Sequence, residues 1–183
     1  MTTAGPTICG TGASRDLGAT YTSWTTPENI TAEDGANFAT SVEGDAGTDA
    51  LKITNFAWSV PAGSTISNVL VEAKGKVAVG STSLIQTNLW NAAYSQQGFS
   101  FTSATAFDTT LTWRTMYNDN PNAGFDAAVI ANTDIIEFNG YAAVGTAWSF
   151  DAVRVTITYA TATGAKLSQS KLVAPGVLGR LAQ

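Results

Sequence analysis

Histidine is absent from the 183 residues, cysteine occurs once, and lysine and arginine together number only nine. The first absence removes the commonest general base and the commonest metal ligand, so no Ser-His-Asp or Cys-His triad can be assembled within this chain. The single cysteine, Cys9, excludes an intrachain disulfide framework and a thiolate metal cluster, and reads as a small residue in a loop near one end. Long apolar runs are missing as well. The longest, Ala127 to Ala131, is far too short for a membrane-spanning helix. Residues 1–20 do not combine a charged start with an apolar core, so no secretory signal is expected.

Fourteen acidic residues outnumber the nine basic ones, for a net charge of −5. The imbalance is uneven: Lys166, Lys171 and Arg180 follow Gly164 with no acid among them, which leaves six basic and fourteen acidic residues in the body. An acidic body argues against general binding to nucleic acid or to an anionic membrane, whereas a short basic end suits an acidic protein surface.

What the sequence does have is period-two alternation. In the stretch from Leu51 to Val79, Leu51 and Ile53 alternate with Lys52 and Thr54 before Pro61-Ala62-Gly63 interrupts the run. Val69, Val71, Ala73, Gly75, Val77 and Val79 then share one face, with Leu70, Glu72, Lys74 and Lys76 on the other. Such a pattern predicts two antiparallel strands that meet around the Pro61 turn, each with one buried and one wet face, and a buried face needs a partner layer. Further short segments rich in Thr and aromatics follow at 83–90, 99–102, 109–115, 127–138 and 147–159, separated by Asn, Gly, Pro or Asp clusters, of which 118–122 is the clearest loop. About eight strands and no amphipathic helix predict an all-β fold, an antiparallel β-sandwich of jelly-roll type with extended amino- and carboxyl-terminal arms.

The expected organisation is an arm over 1–20, a sandwich domain over 21–160 and a docking tail over 161–183. The arm is rich in Thr, Gly and Ala and cannot bury enough surface to fold alone; a first edge strand folded onto the body is the alternative. In the tail, Pro175-Gly176 and Gly179 break any helix, yet the segment keeps apolar residues that are costly to leave in water. Lys171, Leu172, Val173, Val177, Leu178, Arg180 and Leu181 are therefore the candidate partner-binding residues, the apolar ones as anchors and the two cations at the rim.

Three features of the sequence carry chemistry of their own. Glu43, Asp45 and Asp49 lie in a glycine-spaced loop and are the oxygen ligands a calcium ion would draw on, but their spacing fails the EF-hand ligand ladder, and a solvated loop is the expectation. Trp58, Trp90, Trp113 and Trp148 would stack on sugar rings if they faced outward, although strand aromatics more often belong to the core. Asp126, Asp134, Glu137 and Asp151 are the carboxylates a glycosidase would draw on, but no pair has a spacing that argues for a cleft. No catalytic residue, cofactor or metal is expected.

Several phrases occur together in order: Trp24-Thr25-Thr26-Pro27-Glu28-Asn29, Asp34-Gly35, Leu51-Lys52-Ile53-Thr54-Asn55-Phe56, Val60-Pro61-Ala62-Gly63-Ser64-Thr65-Ile66-Ser67-Asn68-Val69, and the closing strand Asp151 to Tyr159. From Trp24 to Tyr159 this run resembles a group of tailed-bacteriophage virion proteins, although Asn68 stands where that group often has glycine and the middle, from Gln86 to Gly124, matches loosely. The resemblance implies a non-enzymatic structural part of a phage particle. The expectation is a capsid decoration (cement) protein in the virion, a homo-oligomer (dimer or trimer) bound to the major capsid protein or another virion protein. A tail or head-appendage subunit that binds carbohydrate or a host receptor is the alternative.

Overall fold

The structure is a computed structural model that describes residues 1–61, 63–78, 84–91, 93–94, 97–103, 107–120, 135–141 and 144–161. Twelve strands are present among them: β1 (Thr2–Ile8), β2 (Thr11–Arg15), β3 (Tyr21–Thr22), β4 (Ala39–Val42), β5 (Gly47–Thr48), β6 (Ala50–Thr54), β7 (Thr65–Val77), β8 (Leu84–Trp90), β9 (Gln97–Ser103), β10 (Thr112–Asp119), β11 (Ile135–Tyr141) and β12 (Ala147–Ala160). Among the described residues one 3-10 turn spans Pro27–Ile30. The fold is all-β, an antiparallel sandwich of jelly-roll type.

Sheet I has the order β1-β12-β7-β10, with β4 also paired to β12; sheet II has the order β2-β6-β11-β8-β9. The two longest alternating runs in the sequence, β7 and β12, form the centre of sheet I and pair over most of their length, from Trp148 opposite Val77 to Ala160 opposite Thr65. Along the other side of β12, β4 takes Ala147–Phe150 and β1 takes Arg154–Tyr159, end to end. The alternation is realised as expected: Val69, Val71, Ala73, Val77, Val153, Val155 and Ile157 are all buried, while the intervening polar residues are half-exposed.

Between the sheets the core is aromatic, with Phe150 at its centre. Its ring lies 5.6 Å from Trp24, 5.6 Å from Phe107, 5.7 Å from Phe138 and 6.1 Å from Trp148. Phe138 comes from sheet II and Phe150 from sheet I, so this pair joins the layers. Opposite Phe150 in the ladder stands Gly75, where a Cβ would come within 2.5 Å of the Phe150 ring; the bare backbone lets the ring lie flat across β7. Gly140 plays the same part on β11, since a Cβ there would sit 2.8 Å from the Trp148 indole nitrogen.

The amino-terminal residues depart from the expected arm. β1 closes one edge of sheet I and β2 closes one edge of sheet II, with Cys9-Gly10 between them. Cys9 N–H donates to Val153 O at 3.1 Å and Gly10 N–H to Asn55 O at 2.9 Å, so the segment is a seam joining both layers. The edge-strand alternative is the one adopted. Its cause is backbone hydrogen bonding: a segment poor in apolar side chains still offers amides and carbonyls that two open sheet edges need.

Two other expectations change. β6 and β7 do not pair with each other around Pro61; they lie in opposite sheets, and the connection carries Phe56 stacked on Trp58 at 4.8 Å into the core. Asn118-Asp119, expected in a loop, continue β10 against Leu70 and Val69, with the Asn68 side-chain amide donating to Asn118 Oδ1 at 2.8 Å.

Candidate functional site

The outer face of sheet II is assembled by period two. On β8, Ile85, Thr87 and Leu89 point into the sandwich and are buried, which places Gln86, Asn88 and Trp90 on the outer face. On β11, Ile136 and Phe138 face the core while Glu137, Asn139 and Tyr141 face outward. Register sets Glu137 opposite Asn88 and Asn139 opposite Gln86, and β9 brings Ser100 opposite Asn88. Together with Arg15, Leu17 and Gln97 these side chains line a groove of about 210 Å³.

Glu137 is wholly buried beneath this face. Arg15 reaches it with both Nε and Nη2, the latter at 2.9 Å from Oε2, and the Tyr94 hydroxyl donates to Oε1 at 2.7 Å. The bond to Glu137 raises the Arg15 pKa, keeping the guanidinium charged. Burial, and then the carboxylate it donates to, push the Tyr94 hydroxyl well above its usual range, so it stays a neutral donor. Arg15 lies 5.0 Å and Lys52 5.6 Å from the centre of the Tyr94 ring, and Trp90 lies 6.0 Å away, tilted by 48°. Both cations near the groove are thus engaged with Tyr94 or Glu137.

Beside this charged pair the groove is an array of amides and hydroxyls. Asn88 Nδ2 donates to Asn139 Oδ1 at 3.5 Å, Gln86 Nε2 donates to Ser100 Oγ at 3.1 Å, and the Tyr141 hydroxyl donates to Gln86 Oε1 at 3.3 Å. Such a surface can exchange hydrogen bonds with a polar ligand and offer an aromatic edge. Glu137 is the one carboxylate among the described lining residues, whereas glycoside hydrolysis in its usual form requires a pair.

The other nominated residues are dispersed. Asp151 is also wholly buried, but on the outer side of sheet I, at a bulge where the register on β7 shifts; Lys74 Nζ lies 2.9 Å from Oδ2 and Gly35 N–H donates to Oδ1 at 2.9 Å. Asp126 and Asp134 lie outside the described residues, as do Lys171, Leu172, Val173, Val177, Leu178, Arg180 and Leu181 of the tail. Of the four tryptophans, Trp58 and Trp148 belong to the core, and Trp113 lies on sheet I beneath the Arg154 guanidinium, 4.0 Å from the ring centre. Trp90 alone of the four lines the groove.

Two of the three carboxylates of the acidic loop are spent on separate partners, while Asp45 is exposed. Glu43 turns inward to accept the Trp148 indole N–H at 2.6 Å, and buried Asp49 accepts Leu17 N–H at 2.9 Å and the Ser23 hydroxyl at 2.6 Å. Among the described residues no three potential metal-ligating side chains of the His, Cys, Asp and Glu types come together. Arg15, Tyr94 and the paired amides were missed in the sequence. The available signal was the amide content of 84–90 and 135–141, since Asn is depleted in strands unless a specific contact holds it there.

No family model matches the chain, and no curated protein does. Among solved structures, the CBM36-1 domain of a multidomain xylanase from the hindgut metagenome of Trinervitermes trinervoides aligns with 88% of this chain and 98% of that chain, at 11% identity and a TM-score of 0.39. A likeness of that size identifies neither family nor ligand.

Proposed function

We propose that the chain is a non-enzymatic structural protein of a tailed-phage particle, a capsid decoration protein whose sandwich is held on the shell by the segment beyond Ala160. The observation that carries this reading is the position of β12. The strand that runs directly into the tail is the central strand of sheet I, bonded to β7 on one side and to β1 and β4 on the other. Tension applied through the tail pulls β12 lengthwise and loads these ladders together in shear, instead of opening them pair by pair. A body built this way resists detachment by unfolding. The phrases shared with phage virion proteins support the same reading, as does the use of Glu137 and Asp151 in ion pairs.

In this reading Leu172, Val173, Val177, Leu178 and Leu181 anchor the protein on the major capsid protein or a second copy of itself, and Lys171 and Arg180 supply attraction at the rim. Several weak contacts on one body give tight attachment through effective concentration. Removing residues 166–183 is expected to abolish co-sedimentation with purified capsids while the near-ultraviolet circular dichroism of the sandwich is retained. Undiminished co-sedimentation of the truncated protein would refute the tail as anchor. The groove on sheet II favours a second reading, a tail or head appendage that binds carbohydrate or a host receptor; tail and groove use separate parts of the chain, so both can hold at once.

A further inference from the structure

We infer that the groove on the outer face of sheet II is a binding site for a short neutral saccharide, gripped by the amides of Asn88, Asn139 and Gln97 and by the indole of Trp90. The inference rests on the second reading above and is independent of the first.

Four observations converge. Trp90 lines the groove beside the amides and offers its ring to the apolar face of a sugar, although its buried indole N–H, without an acceptor among the described residues, is one of seven such side-chain atoms and does not itself mark a ligand. Asn88 and Asn139 are 6% and 4% exposed, and their mutual bond, at 3.5 Å, is at the outer limit of a hydrogen bond. Each amide carries two donors and an acceptor oxygen, on side chains already fixed in place where they border the groove.

Charge selects the ligand. Arg15 and Glu137 neutralise each other, and no other charged side chain lines the groove among the described residues. An acidic sugar, a phosphate or a nucleic acid backbone gains nothing there. An apolar ligand would strand the amides without partners. Size sets the length: about 210 Å³ is less than the roughly 300–1,000 Å³ of a drug-sized pocket, so the groove takes an end or a short segment of a glycan.

The outer face of sheet I shows what a face without such a site looks like in this protein. There Arg154 closes on Glu72 through two hydrogen bonds of 2.7 and 3.1 Å and covers Trp113, and Lys74 bridges Glu33 and Asp151. Charges are paired off and the aromatic is capped. On sheet II the aromatic lies beside an amide-lined hollow.

The test is titration of the full-length protein with neutral gluco-, manno-, galacto- and N-acetylglucosamine oligosaccharides, followed by tryptophan fluorescence and calorimetry. At least one is expected to bind with a Kd of about 1 mM or tighter, and its acidic counterpart no better. Gln97→Ala, on an edge strand where the fold tolerates change, and Asn139→Ala should each weaken that binding about tenfold. Trp113→Ala, on the other sheet, should leave it unchanged. A panel that is silent up to about 10 mM would overturn the inference, as would a sugar whose affinity survives both groove substitutions in folded protein. Capsid co-sedimentation of Gln97→Ala, measured in parallel, is expected to be unchanged, so a failed groove and a failed tail give different patterns.

Discussion

Replacing Arg15 by methionine keeps the volume of the side chain but leaves the Glu137 carboxylate buried, with Tyr94 as its remaining donor among the described side chains. Breaking a fully buried pair by removing one partner typically costs about 3–5 kcal/mol, because a charge is left without compensation. The Arg15 side chain is 38% exposed, so water screens part of the attraction and can replace part of what is lost. The expected loss is therefore about 2 kcal/mol. Glu137→Gln keeps the shape and still accepts from Tyr94, so about 1 kcal/mol is expected. Because the two changes delete one interaction, the double variant should cost less than the two single costs combined, with a coupling of about 1 kcal/mol. Urea unfolding followed by tryptophan fluorescence measures all three. An Arg15→Met cost below about 0.5 kcal/mol, the level of an ordinary surface change, would refute both the pairing and the placement of β2 in sheet II.

Cys9 offers an independent check on the amino-terminal seam: burial pushes its thiol up to about 12, and its Sγ donates to Ile30 O at 3.3 Å. It should be silent to a thiol reagent at pH 8 in native protein and react fully in denaturant; prompt native reaction would mean that residues 1–20 are detached. Phe150→Ala removes the ring that four other aromatics contact and should cost about 3–5 kcal/mol in the same urea assay. A loss under about 1 kcal/mol would contradict its central position. Backbone and side-chain donors of Asn37, with Ala36 N–H, lower the Asp34 carboxyl to about 2. Its contribution to loop order is complete above the unfolded value of about 3.9 and is lost as pH falls through about 2, so its carboxyl carbon should titrate near that lower value by NMR.

The sheets were legible because their strands alternate. Val69 to Val77 and Val153 to Tyr159 declare a buried and a wet face without any knowledge of partners. Partner choice was not legible: period two says which side of β6 and β7 is inward, but a connection that crosses between sheets carries the same residues as a hairpin. β1 and β2 escaped for a different reason, since backbone ladders hold them and residue type records little of that.

At the candidate site, Glu137 was visible as a carboxylate and Trp90 as an aromatic, yet nothing local tied either to Arg15, 122 positions from Glu137 in the chain. Alternating Gln86, Asn88 and Asn139 reads as an ordinary solvated face until the register places them side by side. What distinguishes the groove is the meeting of four segments, and that is set by topology. The tail anchors were assigned from their apolar pattern and lie outside the described residues, so truncation is the way to reach them.

The most direct measurement of the virion assignment is quantitative mass spectrometry of density-purified phage particles for peptides of this chain, compared with the major capsid protein. A decoration protein predicts a fixed, lattice-related ratio that persists through a high-salt wash. Absence from the particles, with the protein left in the soluble lysate, would contradict the assignment.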